Sequence, residues 1–146
     1  MNKQIEQDII SSYGSLDRPN WSFLERRFNA APYAKFVERL RQIATVEEDT
    51  DLNDDCSVGV FAKTAEDALT VRLSLVGRYA CAHNEKGYFL SIEDLRSSSL
   101  GEKIQSLLEE EKLLFLAPEA LRSQIVFGNE ANTLYAVLFS TDELIF

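Results

Sequence analysis

LTVRLSLVGRYACAHNEKGYFLSI, residues 69–92, is the longest alternating stretch in the chain, and its reading decides the fold. Leu69, Val71, Leu73 and Leu75 share one parity; Thr70, Arg72 and Ser74 share the other. Successive side chains of a strand point to opposite faces, so this reads as a half-buried strand. Beyond Gly77 the odd positions continue with Tyr79, Cys81 and His83. Drawn straight, 69–83 would span roughly 50 Å at about 3.3 Å per residue. A chain of 146 residues folds to a radius of gyration of roughly 15 Å, so the strand must bend. Gly77 is where a bulge or kink is expected. Asn84-Glu85-Lys86-Gly87 then reads as a hairpin turn. Its length puts His83 opposite Tyr88, Cys81 opposite Leu90 and Tyr79 opposite Ile92, which brings the apolar faces together.

Working back from residue 69, Ala65-Glu66-Asp67-Ala68 reads as a turn and 56–63 as a strand with Val58, Val60 and Ala62 on one face. Before that strand lies the acidic stretch 47–55. Further upstream the period changes to a helical one. Tyr33, Phe36, Val37, Leu40 and Ile43 recur at helical spacing behind Pro32, which is suited to a first helical turn. Asn20 is a candidate cap for a short helix carrying Trp21, Leu24 and Phe28 on one side. Ile5, Ile9, Ile10 and Tyr13 form an amphipathic first helix that Gly14 ends.

Downstream, Ser99-Leu100-Gly101-Glu102 has the capping-box pattern ahead of a helix with Leu100, Ile104, Leu107 and Leu108 inward. Pro118 opens a helical turn to Arg122. Residues 125–127 and 133–140 read as a second hairpin around 128–132, with the last strand apolar on both faces and therefore central. The expected fold is α+β: a single domain, 1–146, with N-terminal helices packed on a largely antiparallel sheet of about five strands and one inserted helix near 100–112.

The net charge is −9, unevenly spread. Residues 1–46 hold seven Lys/Arg and five Asp/Glu, whereas 47–55 hold six acids and no base. No basic stripe suited to a nucleic-acid backbone exists, so nucleic acid is not an expected partner. The N-terminal residues hold too short an apolar run for a secretory signal, and the run 113–118 is far short of a membrane span. A cytoplasmic location with reduced Cys56 and Cys81 is expected, both cysteines serving as small buried hydrophobes.

Tests for chemistry fail on spacing. Asp49, Asp51, Asn53 and Asp55 match the first four alternate positions of an EF-hand loop, but Asp54 stands at the glycine position and Val60 at the bidentate-glutamate position. His83 and Cys81 lie two apart on one strand, with β-carbons nearly 7 Å apart by the strand rise, too long for a nucleophile–base contact. Cys56, Cys81 and His83 match no zinc module. Ser97-Ser98-Ser99 lacks a nucleophile-elbow context, and no glycine-rich loop cradles a phosphate. No catalytic residue, cofactor or metal site is expected.

The composition points instead to a non-catalytic protein-binding module. Its sharpest form is an acidic immunity- or antitoxin-type inhibitor of a basic partner protein, contacting it through Glu47, Glu48, Asp49, Asp51, Asp54 and Asp55. On this reading 47–55 is an extended, hydrated link projecting a negative field. The alternative is a small-molecule-binding or enzymatic domain with a pocket near Tyr79, Cys81, His83 and Tyr88.

Overall fold

The structure, a computed structural model, describes residues 2–142. The N-terminal helices are α1 (Lys3–Tyr13), α2 (Phe23–Asn29) and α3 (Ala34–Arg41). The Asn2 side chain caps α1 by accepting from Gln4 N–H, and Gly14 ends it at φ 83° in the left-handed region that favours glycine. Asn20 does not cap α2: its Oδ1 accepts from Ser22 N–H in the turn before the helix, Ser22 is the N-cap residue, and α2 begins at Phe23. Pro32 lies in a turn that Ala31 enters at φ 49°, so α3 starts two residues beyond it.

The central sheet has five strands: β1 (Thr45–Glu48), β2 (Ser57–Lys63), β3 (Ala68–Ser74), β4 (Tyr79–Asn84) and β5 (Leu114–Phe115). They lie side by side in that order, the first three pairings antiparallel and the last parallel. The remaining elements are α4 (Ile92–Arg96), α5 (Ser99–Glu110), α6 (Pro118–Arg122), the β6 (Gln124–Phe127)–β7 (Glu130–Thr133) hairpin and α7 (Leu134–Leu138). The expected α+β class, the largely antiparallel sheet and the inserted helix are all present.

Strand pairing assigns the two faces. Val60, Val71 and Ala82 stand in one row and Val58, Leu73 and Ala80 in the next. This apolar face meets α3, whose Arg41 reaches Glu48 and whose Val37 shares a cleft wall with Val58. Phe36, Leu40 and Leu73 are buried in one core, as expected. Each such side chain contributes about 1.5–3 kcal/mol by leaving water. The opposite face carries Ser57, Gly59, Arg72, Ser74, Tyr79 and Cys81, and α7 covers it. Ser57 Oγ donates to Phe139 O and Ser74 Oγ to Leu138 O, each at 2.7 Å.

The structure corrects several sequence readings. Residues 69–83 are not one bent strand. The chain reverses through 75–78, and β3 pairs with β4 so that Arg72 faces Cys81 and Leu73 faces Ala80. Partners in this hairpin have opposite parity, so the odd residues of β4 lie on the other face from Leu69, Val71 and Leu73. A turn, rather than a kink at Gly77, keeps this stretch within the dimensions of the domain. Gly77 sits in that turn, where a Cβ would lie 2.5 Å from Tyr79 Cε2 and 2.9 Å from Asp8 Oδ2. Nor is β3 half-buried: Arg72 and Ser74 are inside, because α7 closes the face that alternation had given to solvent.

The turn at 84–87 forms, but its register is one residue off. His83 bridges to Phe89, Leu90 N–H donates to Ala82 O, and Ile92 already opens α4. A one-residue slip turns Phe89 inward and Tyr88 out to solvent. The capping box belongs to Ser91 and Asp94 on α4, whereas α5 is capped by Ser98, one residue before the matched pattern. Finally, 133–140 is not a strand. The Thr133 hydroxyl accepts from Ala136 N–H and starts α7, a helix buried nearly all round. A short apolar run cannot be assigned by period alone, and here the cap decides it. The second hairpin is β6–β7 alone, turning at Gly128-Asn129.

Candidate acidic cleft

Two stretches remote in sequence meet beside the N-terminal helices. Trp21, Leu24, Glu25, Phe28 and Asn29 form one wall of a cleft of about 680 Å³; Leu52, Asn53, Asp54 and Asp55, with Thr141, form the other. Trp21, Leu24 and Phe28 are the stripe read from helical spacing, although Trp21 itself precedes α2. Leu24 is buried, whereas Trp21 keeps 42% of its surface exposed. The indole is nevertheless fixed, with Tyr13 edge-on at a centroid separation of 4.8 Å and Phe127 at 5.9 Å.

The acidic stretch is built rather than extended. Glu47 and Glu48 belong to β1, paired with Phe61 and Val60, which corrects the expectation of a loop across all of 47–55. Asp49 N–H continues the ladder to Gly59 O, and Thr50 Oγ1 accepts from Gly59 N–H at 3.0 Å. Residues 51–55 then wind into a turn: Asp54 and Asp55 N–H both donate to Asp51 O, and Asp51 Oδ1 accepts from Asn53 N–H. Thr141 N–H ties the turn down through Asp54 O at 2.9 Å.

The six acids divide by environment. Glu47, Asp49, Asp51 and Asp54 are exposed, and Glu48 is exposed but pairs with Arg41 at 3.3 Å. Asp55 is the exception. It is buried, accepting from Ser140 Oγ at 2.6 Å and Asp51 N–H at 2.9 Å, with Arg72 Nη1 at 3.4 Å. Its charge serves the fold, because a buried guanidinium needs a counter-charge. Of the six, Asp55 is therefore not available as an exposed contact.

Asp142, which the sequence did not flag, joins the same surface. Partial burial raises its carboxyl above the usual range, and the Asp54, Asp55 and Asp51 charges raise it further, with Arg72 opposing. Among the described residues, Asp49, Asp51, Asp54 and Asp142 form no ion pair with a Lys or Arg. Asp142 lies eighty-eight positions from Asp54, so only the tertiary fold brings them together. Trp21 did carry a signal, as the only tryptophan in the chain and a member of the predicted stripe.

The residues of the alternative pocket do not converge. Tyr79 is buried with its hydroxyl on Asp8 Oδ2, Cys81 is buried under α7, and Tyr88 points to solvent. Four clefts on the described surface are lined by other residues. Burial pushes the Cys56 thiol up to about 12 and raises that of Cys81 as well, which disfavours the thiolate, the nucleophilic form, at both. Burial also lowers the His83 imidazole, with Arg72 adding to the effect and the Asn84 carbonyl opposing it.

Between β3, β4 and α7, several buried polar atoms make no hydrogen bond among the described residues: Arg72 Nε and Nη1, His83 Nε2 and the Tyr135 hydroxyl. This polar seam sits inside the packing, on the inner side of Asp55. Among the described residues no group of three or more His, Cys, Asp or Glu has a metal-holding arrangement, and no helix is long and apolar enough to cross a membrane. No family model, no characterised protein and no solved structure matches the chain.

Proposed function

We propose that this chain is a non-catalytic binding module for a basic partner protein, of which an immunity- or antitoxin-type inhibitor is the sharpest form. One observation carries the reading: Asp51, Asp54 and Asp142 lie close enough for their charges to interact, none of them pairs with a Lys or Arg among the described residues, and the Asp54, Asp55 and Asp51 charges add to the effect of burial in raising Asp142, against the opposing Arg72. A basic partner relieves that repulsion. The field also speeds its encounter, by about tenfold to a thousandfold at low salt. The pinned turn supports the reading too, since a preorganised contact loses less entropy on binding than a free loop.

The test is capture with the wild-type chain and with an Asp49→Asn/Asp51→Asn/Asp54→Asn/Asp142→Asn variant as baits. The reading expects a basic protein on the wild type that elutes as salt rises. Its association with the variant should be at least about tenfold slower. A partner that associates with both baits at one rate, independent of salt, overturns it.

A further inference from the structure

We infer that the cleft between Trp21 and Asp54 receives an arginine side chain of that partner, an inference that rests on the binding reading above. The argument adds the cleft itself to the surface charge. At about 680 Å³ it is of ligand-binding size, large enough for a side chain and the backbone that presents it. Leu24, Phe28 and Leu52, buried or half-buried, supply apolar lining, while Glu25 and Asp54, both exposed, line it as well. A long cationic side chain matches both parts, laying its methylenes on apolar surface and its charge beside the carboxylates.

Arginine fits better than lysine. Its planar guanidinium stacks on an aromatic face and takes a carboxylate in two parallel hydrogen bonds. Trp21 supplies a half-exposed indole already held by Tyr13 and Phe127, so little order is lost on docking. Two of the chain's own arginines are engaged elsewhere: Arg27 lies over the Phe23 ring and donates to Ser12 Oγ and Leu75 O, and Arg72 is buried against Asp55. A second copy of the chain is the wrong occupant, because each copy carries a net charge of −9.

Trp21 is the only tryptophan, so the emission of the intact protein reports on this cleft alone. The test titrates the full chain with hexa-arginine, and in parallel with hexa-lysine, following tryptophan emission and calorimetric heat. Hexa-arginine should shift the emission saturably, with hexa-lysine weaker by severalfold. Glu25→Gln/Asp54→Asn should weaken hexa-arginine by about tenfold, as expected for losing a charge-assisted contact. That variant should fold normally, since the turn is tied through the Asp54 carbonyl; an unchanged unfolding midpoint checks this. Calorimetric binding with unchanged emission overturns the cleft proposal and spares the acidic-surface reading. Equal responses to the two peptides, or an undiminished response in the variant, likewise overturn the proposal. Absence of binding by both measures overturns the proposal and the binding reading together.

Discussion

Changing Asp55 to Asn removes one charge and little else, since the amide keeps an oxygen for Ser140 or Asp51. What it leaves behind is the Arg72 guanidinium, whose side chain is only 8% exposed against 4% for Asp55. At the observed 3.4 Å an effective dielectric of about 20 gives an attraction of about 5 kcal/mol. Breaking a buried pair from one side costs about 3–5 kcal/mol. A domain's whole stability is about 5–15 kcal/mol, so Asp55→Asn should remove a large part of it. The melting temperature should fall by roughly 6–20 °C. Arg72→Met/Asp55→Asn should be more stable than Asp55→Asn alone. With Arg72 Nε and Nη1 making no hydrogen bond among the described residues, removing the guanidinium also removes an unmet demand. Urea unfolding of the wild type, both single variants and the double variant measures the coupling. A loss below about 0.5 kcal/mol in Asp55→Asn would refute the assignment of Arg72 and Asp55 as a buried pair.

Three further outcomes follow from burial and close approach. Gly77→Ala should destabilise by about 1–3 kcal/mol in urea unfolding, because the new methyl meets the Tyr79 ring; an unchanged midpoint would contradict that contact. Cys56 and Cys81, both buried, should resist a thiol reagent in the native protein and react only as fast as it opens, whereas prompt labelling of either would contradict the packing under α7. His83 is held below its ordinary 6.5, so as pH falls the unfolded chain takes up a proton before the folded one. Stability is then full above the unfolded value and is lost as pH drops through the folded one. Between about pH 7.5 and about pH 5.5 the wild type should lose up to about 1.4 kcal/mol that His83→Gln retains; identical pH profiles would contradict the burial of the ring.

The sequence showed local periods well and tertiary closure poorly. Helical spacing identified Phe36, Val37 and Leu40 on α3 and Leu100, Ile104, Leu107 and Leu108 on α5, all of which are buried. Alternation identified β2 and β3, because side chains repeat every two residues along a strand and about every 3.6 along a helix. It could not show that α7 would close the second face, so Arg72 read as an outward residue. The α7 helix was itself hidden, since a segment buried all round has no amphipathic signal, and only Thr133 as a cap distinguished it from a strand. The acidic stretch was plain in composition. Its division into β1, an exposed turn and a buried Asp55 depends on partners at Gly59, Arg72 and Ser140, which local patterns do not reach.

The most direct test of acidic-surface recognition is a map of backbone amide shifts as labelled protein is titrated with hexa-arginine at low salt. Other exposed acids provide the internal control, among them Glu93 and Asp94 on α4 and Glu109 on α5. The account predicts saturable shifts concentrated at residues 21–29, 49–55 and 141–142, fading together as salt is raised. Shifts of similar size around Glu93, Asp94 and Glu109 would contradict it, because the peptide would then be sampling charge wherever it occurs.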